Sequence, residues 1–158
     1  MKSFDRHYSS DTEQGKRLLM GGGEAVGFAG DSQVMVLLVD DEKEFIEALA
    51  ERLVMRKMEA IVTYDGRSAL ELLSKKPLKT MVLDLQMPGI DGLEVLRMVK
   101  KSYPMVEVIV LSAHGAEAEK KECMKLGAFA CFNKPVDISL LGETLKMAFE
   151  KWRMYGRA

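Results

Sequence analysis

Short apolar runs alternate with amphipathic stretches from Val34 onward, and few folds accept that pattern. The runs cover residues 34–39, 60–63, 81–83, 106–111 and 128–132. Between them Phe45, Ile46, Leu49 and Leu53 recur at helical spacing, as do Ala69, Leu70 and Leu73, then Leu93, Leu96 and Val99. Runs too short for helices, each followed by a one-sided helix, predict βα units whose parallel strands are buried on both faces. The expected class is therefore α/β, a doubly wound five-stranded parallel sheet. Helix ends are marked as well. Asp91 and Asp137 stand where N-caps belong, with Glu94 placed to complete a capping box; Gly127 suits a left-handed helix end, and Pro104 stops the preceding helix.

Residues 1–32 do not share this pattern. They mix Ser, Asp and Lys with a Gly21-Gly22-Gly23 run and carry little periodicity, so they are expected to form a flexible extension, with the folded domain over residues 33–158. No apolar stretch there has the length of a signal peptide or membrane span. With 24 acidic and 23 basic residues the chain is nearly neutral, which argues against nucleic acid or an anionic membrane as a direct partner. Cys123 and Cys131 have neither metal-site spacing nor the abundance of a disulfide scaffold, and a reducing cytoplasm suits them. The twelve methionines read first as filling for an irregular core, with a Met-rich partner surface as the alternative.

The chemistry-bearing residues collect at one end of the expected strands. The first run ends at Asp40-Asp41, the third at Asp84, the fourth at Ser112 and the fifth at Asn133-Lys134-Pro135. Open parallel sheets bind ligands beyond the carboxyl ends of their strands, where strand order reverses. If that order is 2-1-3-4-5, the three aspartates converge and Lys134 reaches in from the far side. Close carboxylates raise one another's pKa unless a cation sits among them, and an all-oxygen donor set favours a hard ion such as Mg²⁺. In such a site Asp84 is a candidate nucleophile toward phosphorus, giving an acyl phosphate, with Mg²⁺ and Lys134 neutralising charge. Ser112 would hydrogen-bond a phosphoryl oxygen and draw its loop inward, or else cap a helix.

Three segments carry a family resemblance. Val36-Leu37-Leu38-Val39-Asp40-Asp41-Glu42 resembles the opening of bacterial two-component response regulator receiver domains. Asp84-Leu85-Gln86-Met87-Pro88-Gly89-Ile90-Asp91-Gly92 is similar to their phosphoacceptor segment, and Asn133-Lys134-Pro135 to their fifth-strand motif. The resemblance spans residues 34–155 and implies a flavodoxin-like fold with strand order 2-1-3-4-5. It further implies that Asp40 and Asp41 hold Mg²⁺ together with Asp84 and the backbone carbonyl of Gln86, that Asp84 accepts phosphate from a sensor histidine kinase, that Lys134 pairs with the phosphoryl group, and that the Lys134-Pro135 bond is cis. Gln86 and His114 fall where relatives tune acyl phosphate lifetime, although His114 by itself reads as a loop residue. One departure stands out: the family's usual Tyr or Phe three residues before the motif lysine is here Cys131, and the adjacent Phe132 should point to the opposite face.

The leading expectation is a chemotaxis-type, stand-alone cytoplasmic receiver, not an enzyme on other substrates, that switches a surface for a downstream protein or a phosphorylation-dependent homodimer. That surface would combine residues 117–125, 129–132 and 140–155, with Trp152 and Tyr155 either exposed on it or packed beneath it. A relay intermediate serving a histidine phosphotransfer protein fits equally, and Cys131 motivates a constitutive binding module. A phosphatase of the haloacid dehalogenase-like class would need Asp-x-Asp where this chain has adjacent Asp40-Asp41.

Overall fold

The computed structural model describes residues 7–9, 16–19, 33–113 and 115–156. In chain order the elements are β1 (His7–Ser9), β2 (Lys16–Leu19), β3 (Met35–Val39), α1 (Lys43–Met55), β4 (Glu59–Thr63), α2 (Gly66–Lys75), β5 (Thr80–Asp84), α3 (Gly92–Ser102), β6 (Glu107–Ser112), α4 (Glu117–Lys125), β7 (Ala130–Asn133) and α5 (Ile138–Tyr155). Among the described residues one sheet holds all seven strands in the order β1-β2-β4-β3-β5-β6-β7. Its last five are mutually parallel and follow the expected order 2-1-3-4-5.

β1 and β2 form an antiparallel pair, and β2 lies antiparallel on the outer edge of β4. Both belong to the segment expected to be a flexible extension. An edge strand offers unpaired N–H and C=O groups to any extended segment, so this pairing is a backbone interaction that composition does not announce.

Alternation along the buried strands divides the core in two. Leu37, Val39, Met81, Leu83, Val108 and Val110 face one side, where α2, α3 and α4 cover them. Val36, Leu38, Val82, Ile109 and Leu111 face the other, under α1 and α5. The expected stripes are seated accordingly: Ile46, Leu49 and Leu53 are buried on α1, Ala69 and Leu73 on α2, Leu96 and Val99 on α3, with Phe45, Leu70 and Leu93 half-buried at the margins.

Side-chain caps set the starts of α2, α3 and α5. Asp91 accepts from the Leu93 N–H and Asp137 from the Leu140 N–H, as expected, while Asp65 caps α2 through Ser68 without having been anticipated. Glu94 does not complete a capping box; its carboxylate pairs with Arg97. Gly127 ends α4 at φ +101°, the left-handed conformation that glycine adopts without penalty. The methionines depart from the expectation of core filling. Met58, Met81 and Met87 are buried, whereas Met55, Met98, Met105, Met124, Met147 and Met154 are exposed. Among the described residues no helix is long and apolar enough to cross a membrane.

Candidate functional site

Parallel pairing aligns the carboxyl ends of the strands. β3 lies between β4 and β5, so Asp40, one residue past β3, comes beside Asp84, the last residue of β5. Backbone bonds lock this edge: the Asp40 N–H donates to the Thr63 carbonyl at 3.2 Å, Leu85 N–H to Leu111 at 3.2 Å, and Lys134 N–H to Ser112 at 2.9 Å. Gly92 permits the close approach of α3. A Cβ there would lie 2.4 Å from Leu85 Cα and 2.7 Å from the Asp84 carbonyl oxygen.

Carboxylate oxygens of Asp40, Asp41 and Asp84 lie within 4.8 Å of one another. Asp40 and Asp84 are buried and Asp41 is exposed. The Lys134 ammonium enters from the end of β7, 2.7 Å from Asp40 Oδ2, 3.5 Å from Asp84 Oδ2 and 3.8 Å from Glu42 Oε1. It also stands 4.6 Å from the centre of the Phe45 ring. Main-chain donors orient the buried pair, with Glu42 N–H on Asp40 Oδ1 at 2.9 Å and Gln86 N–H on Asp84 Oδ1 at 3.2 Å. The Lys134-Pro135 peptide bond is cis.

The electrostatics of this group are unbalanced. Burial raises the Asp84 carboxyl to about 6; the Gln86 N–H opposes the rise, the Asp40 charge adds to it and Lys134 restrains it. Burial acts to lower the Lys134 ammonium, but the hydrogen bond and charge of Asp40, joined by Asp84 and Glu42, outweigh it and hold the pKa above its ordinary value. One ammonium thus faces more carboxylate than it can neutralise. The all-oxygen donor set and the strained ionisation of Asp84 fit a hard divalent cation.

Ser112 ends β6, fully buried, with its hydroxyl donating to Glu119 Oε1 at 2.7 Å and accepting from the Gly115 N–H at 3.4 Å. It does not cap a helix, because the N-cap of α4 is Ala116, which makes no side-chain cap bond. His114 lies outside the described residues. Cys131 packs on the α2/α3/α4 side of the sheet and Phe132 on the opposite side, as strand alternation requires. Cys131 neighbours Cys123 of α4, and burial, with Cys131 close by, pushes the Cys123 thiol up to about 12. Of the aromatic pair on α5, Trp152 is half-buried, stacks on Phe149 and receives the Lys79 ammonium at 3.8 Å, while Tyr155 is exposed.

The three aspartates and Lys134 meet at one sheet edge, where the ends of the expected strands put them. Glu42 and Phe45 beside Lys134, and Glu119 on Ser112, were not anticipated. Glu42 follows the Asp pair and was legible as an extra charge at the site; nothing in the linear sequence links Glu119 to Ser112.

The family model for the response regulator receiver domain matches residues 36–146. A putative NtrX-like response regulator of Rickettsia felis is 36% identical over 121 residues, which cover 75% of this chain and 26% of that protein. The sensor histidine kinase RcsC of Escherichia coli is 28% identical over 78% of this chain and 13% of its own length. The chain therefore spans about a quarter or less of these curated relatives. Among solved structures, the receiver domain of Francisella response regulator 1452 superposes with a TM-score of 0.72 at 27% identity, covering 75% of this chain and 98% of that one.

Proposed function

This chain belongs to the response regulator receiver domain family, and from that membership we propose that Asp84 takes a phosphoryl group from a histidine kinase in a Mg²⁺-dependent reaction that switches a protein-binding face. The observation that carries the reading is the meeting of Asp40, Asp41 and Asp84 within 4.8 Å, with the Lys134 ammonium against Asp40 and Asp84. Asp40, Asp41, Asp84 and the backbone carbonyl of Gln86 would hold the ion. Bound there, Mg²⁺ would neutralise the charge that crowded carboxylates and an arriving phosphoryl group bring together.

The protein's own groups divide the remaining work. Gln86 N–H holds one Asp84 oxygen and so presents the carboxylate for attack on phosphorus. The new P–O bond forms as the P–N bond of the phosphohistidine breaks, and the electron pair returns to the imidazole. Lys134 then pairs with the phosphoryl oxygens, and the Ser112 hydroxyl donates to one of them. The chain acts only on itself in this scheme.

The responsive face would comprise α4, β7 and α5, where Met124, Leu140, Met147, Met154 and Tyr155 are exposed. A downstream protein, a histidine phosphotransfer protein or a second phosphorylated copy are the candidate occupants. A chemotaxis-type mode of action and a cytoplasmic setting, which suits the free thiols, belong to the same proposal. Cys131 favours one second reading, a constitutive binding module lacking the usual aromatic relay.

Intact mass after incubation with acetyl phosphate and Mg²⁺ separates the two. Wild type should gain one phosphoryl group and Asp84→Asn none. An unmodified wild type that a phosphorylated cognate kinase also fails to label would leave the binding module in its place.

A further inference from the structure

Ser112 has one proton to donate, and in this structure it goes to Glu119. The hydroxyl is fully buried, 2.7 Å from Glu119 Oε1, and the Ser112 carbonyl is pinned by the Lys134 N–H at 2.9 Å. The residue therefore cannot serve a phosphoryl oxygen on Asp84 while it holds Glu119. Its partner sits in the first turn of α4, a helix with little else to anchor it. Cys123 is the buried residue of α4, whereas α1 buries five residues and α5 six. The helix start also lacks a side-chain cap. A hydrogen bond to a charged acceptor is among the stronger single contacts available to such a helix.

We propose that Glu119 is a positioning residue, a latch that holds Ser112 and the first turn of α4 in the unphosphorylated arrangement and lets both go when a phosphoryl group on Asp84 takes the hydroxyl. The inference rests on the phosphoacceptor reading of Asp84. It supplies a direct connection from the site to α4 where Cys131 provides no aromatic ring. No covalent step is involved, only the exchange of one hydrogen-bond acceptor for another.

Beryllofluoride with Mg²⁺, a stable mimic of an aspartyl phosphate, tests the latch on the full chain. Its apparent affinity is read by titration, and the backbone amide NMR shifts of residues 112–125 report the switch. Glu119→Ala should bind about tenfold more tightly than wild type, since the latch no longer competes for the hydroxyl. Glu119→Gln keeps an acceptor but loses the charge that strengthens the bond, and should fall between wild type and Glu119→Ala. In a Ser112→Ala background the Glu119→Ala gain should vanish, because the latch acts through that hydroxyl. An unchanged Glu119→Ala affinity overturns the latch, as does a gain that survives in Ser112→Ala. A Glu119→Gln variant that matches Glu119→Ala also overturns it, since charge repulsion alone would then explain the gain. Wild type that binds no beryllofluoride and takes no label at Asp84 sinks the phosphoacceptor reading itself, a result distinct from normal binding with silent Glu119 variants.

Discussion

At the residue scale the site holds together by compensation between buried charges. The Asp84 pKa of about 6 in the folded chain exceeds the ordinary carboxyl value of 3.8 because burial and Asp40 disfavour the charged form. The folded state therefore binds a proton more tightly than the unfolded state. Stability on this account is full below about pH 4, falls as pH rises through about 6, and stays low above it. Asp84→Asn removes the penalty. In chelator at pH 7.5 it should be more stable than wild type by about 1 kcal/mol in urea melts, with the difference closing near pH 4. Lys134→Met works in the opposite sense, leaving Asp40 and Asp84 without their ammonium. It should lose about 3 kcal/mol in chelator, and Mg²⁺ should restore more stability to the variant than it adds to wild type. The aspartates and the lysine were legible in the sequence because each stands at the end of a recognisable strand. Glu119 was not, since its partner Ser112 is reached only once α4 is docked.

At the scale of elements, α3 approaches the site more closely than any side chain would allow. Gly92 opens the helix directly against Leu85 and the Asp84 carbonyl, so Gly92→Ala forces α3 or the β5 end to shift. Overpacking of this kind costs about 1–3 kcal/mol. Thermal melts should record that loss, and acetyl phosphate labelling of Asp84 should slow in samples held well below the melting temperature. Helix starts at Asp91 and Asp137 could be read from their capping side chains. The β1–β2 pair could not, because it depends on the open edge of β4 and not on any periodicity of its own.

For the molecule as a whole, burial is uneven among the helices. α1 and α5 present five and six buried residues to the sheet and α4 presents Cys123. Local opening follows the apolar surface that must be exposed. Hydrogen exchange should therefore find residues 117–125 of α4 the fastest-exchanging helical amides of the unphosphorylated chain, and those of α1 and α5 much slower. Equal protection of α4 and α1 would contradict this hierarchy. The segment expected to respond to the site is thus also the one with the least packing to resist a change.

Taken alone, the order of residues determined the layered α/β architecture, the strand order through family resemblance, and the set of acidic and basic groups at one sheet edge. These follow from periodicity and from motif positions, which are properties of the linear chain. Tertiary structure decided which of those groups share protons and charge: Lys134 against Asp40 more closely than Asp84, Ser112 bound to Glu119, Cys131 beside Cys123, and most described methionines outside the core. Such pairings depend on distances between elements far apart in sequence, set by packing of the whole sheet and its helices.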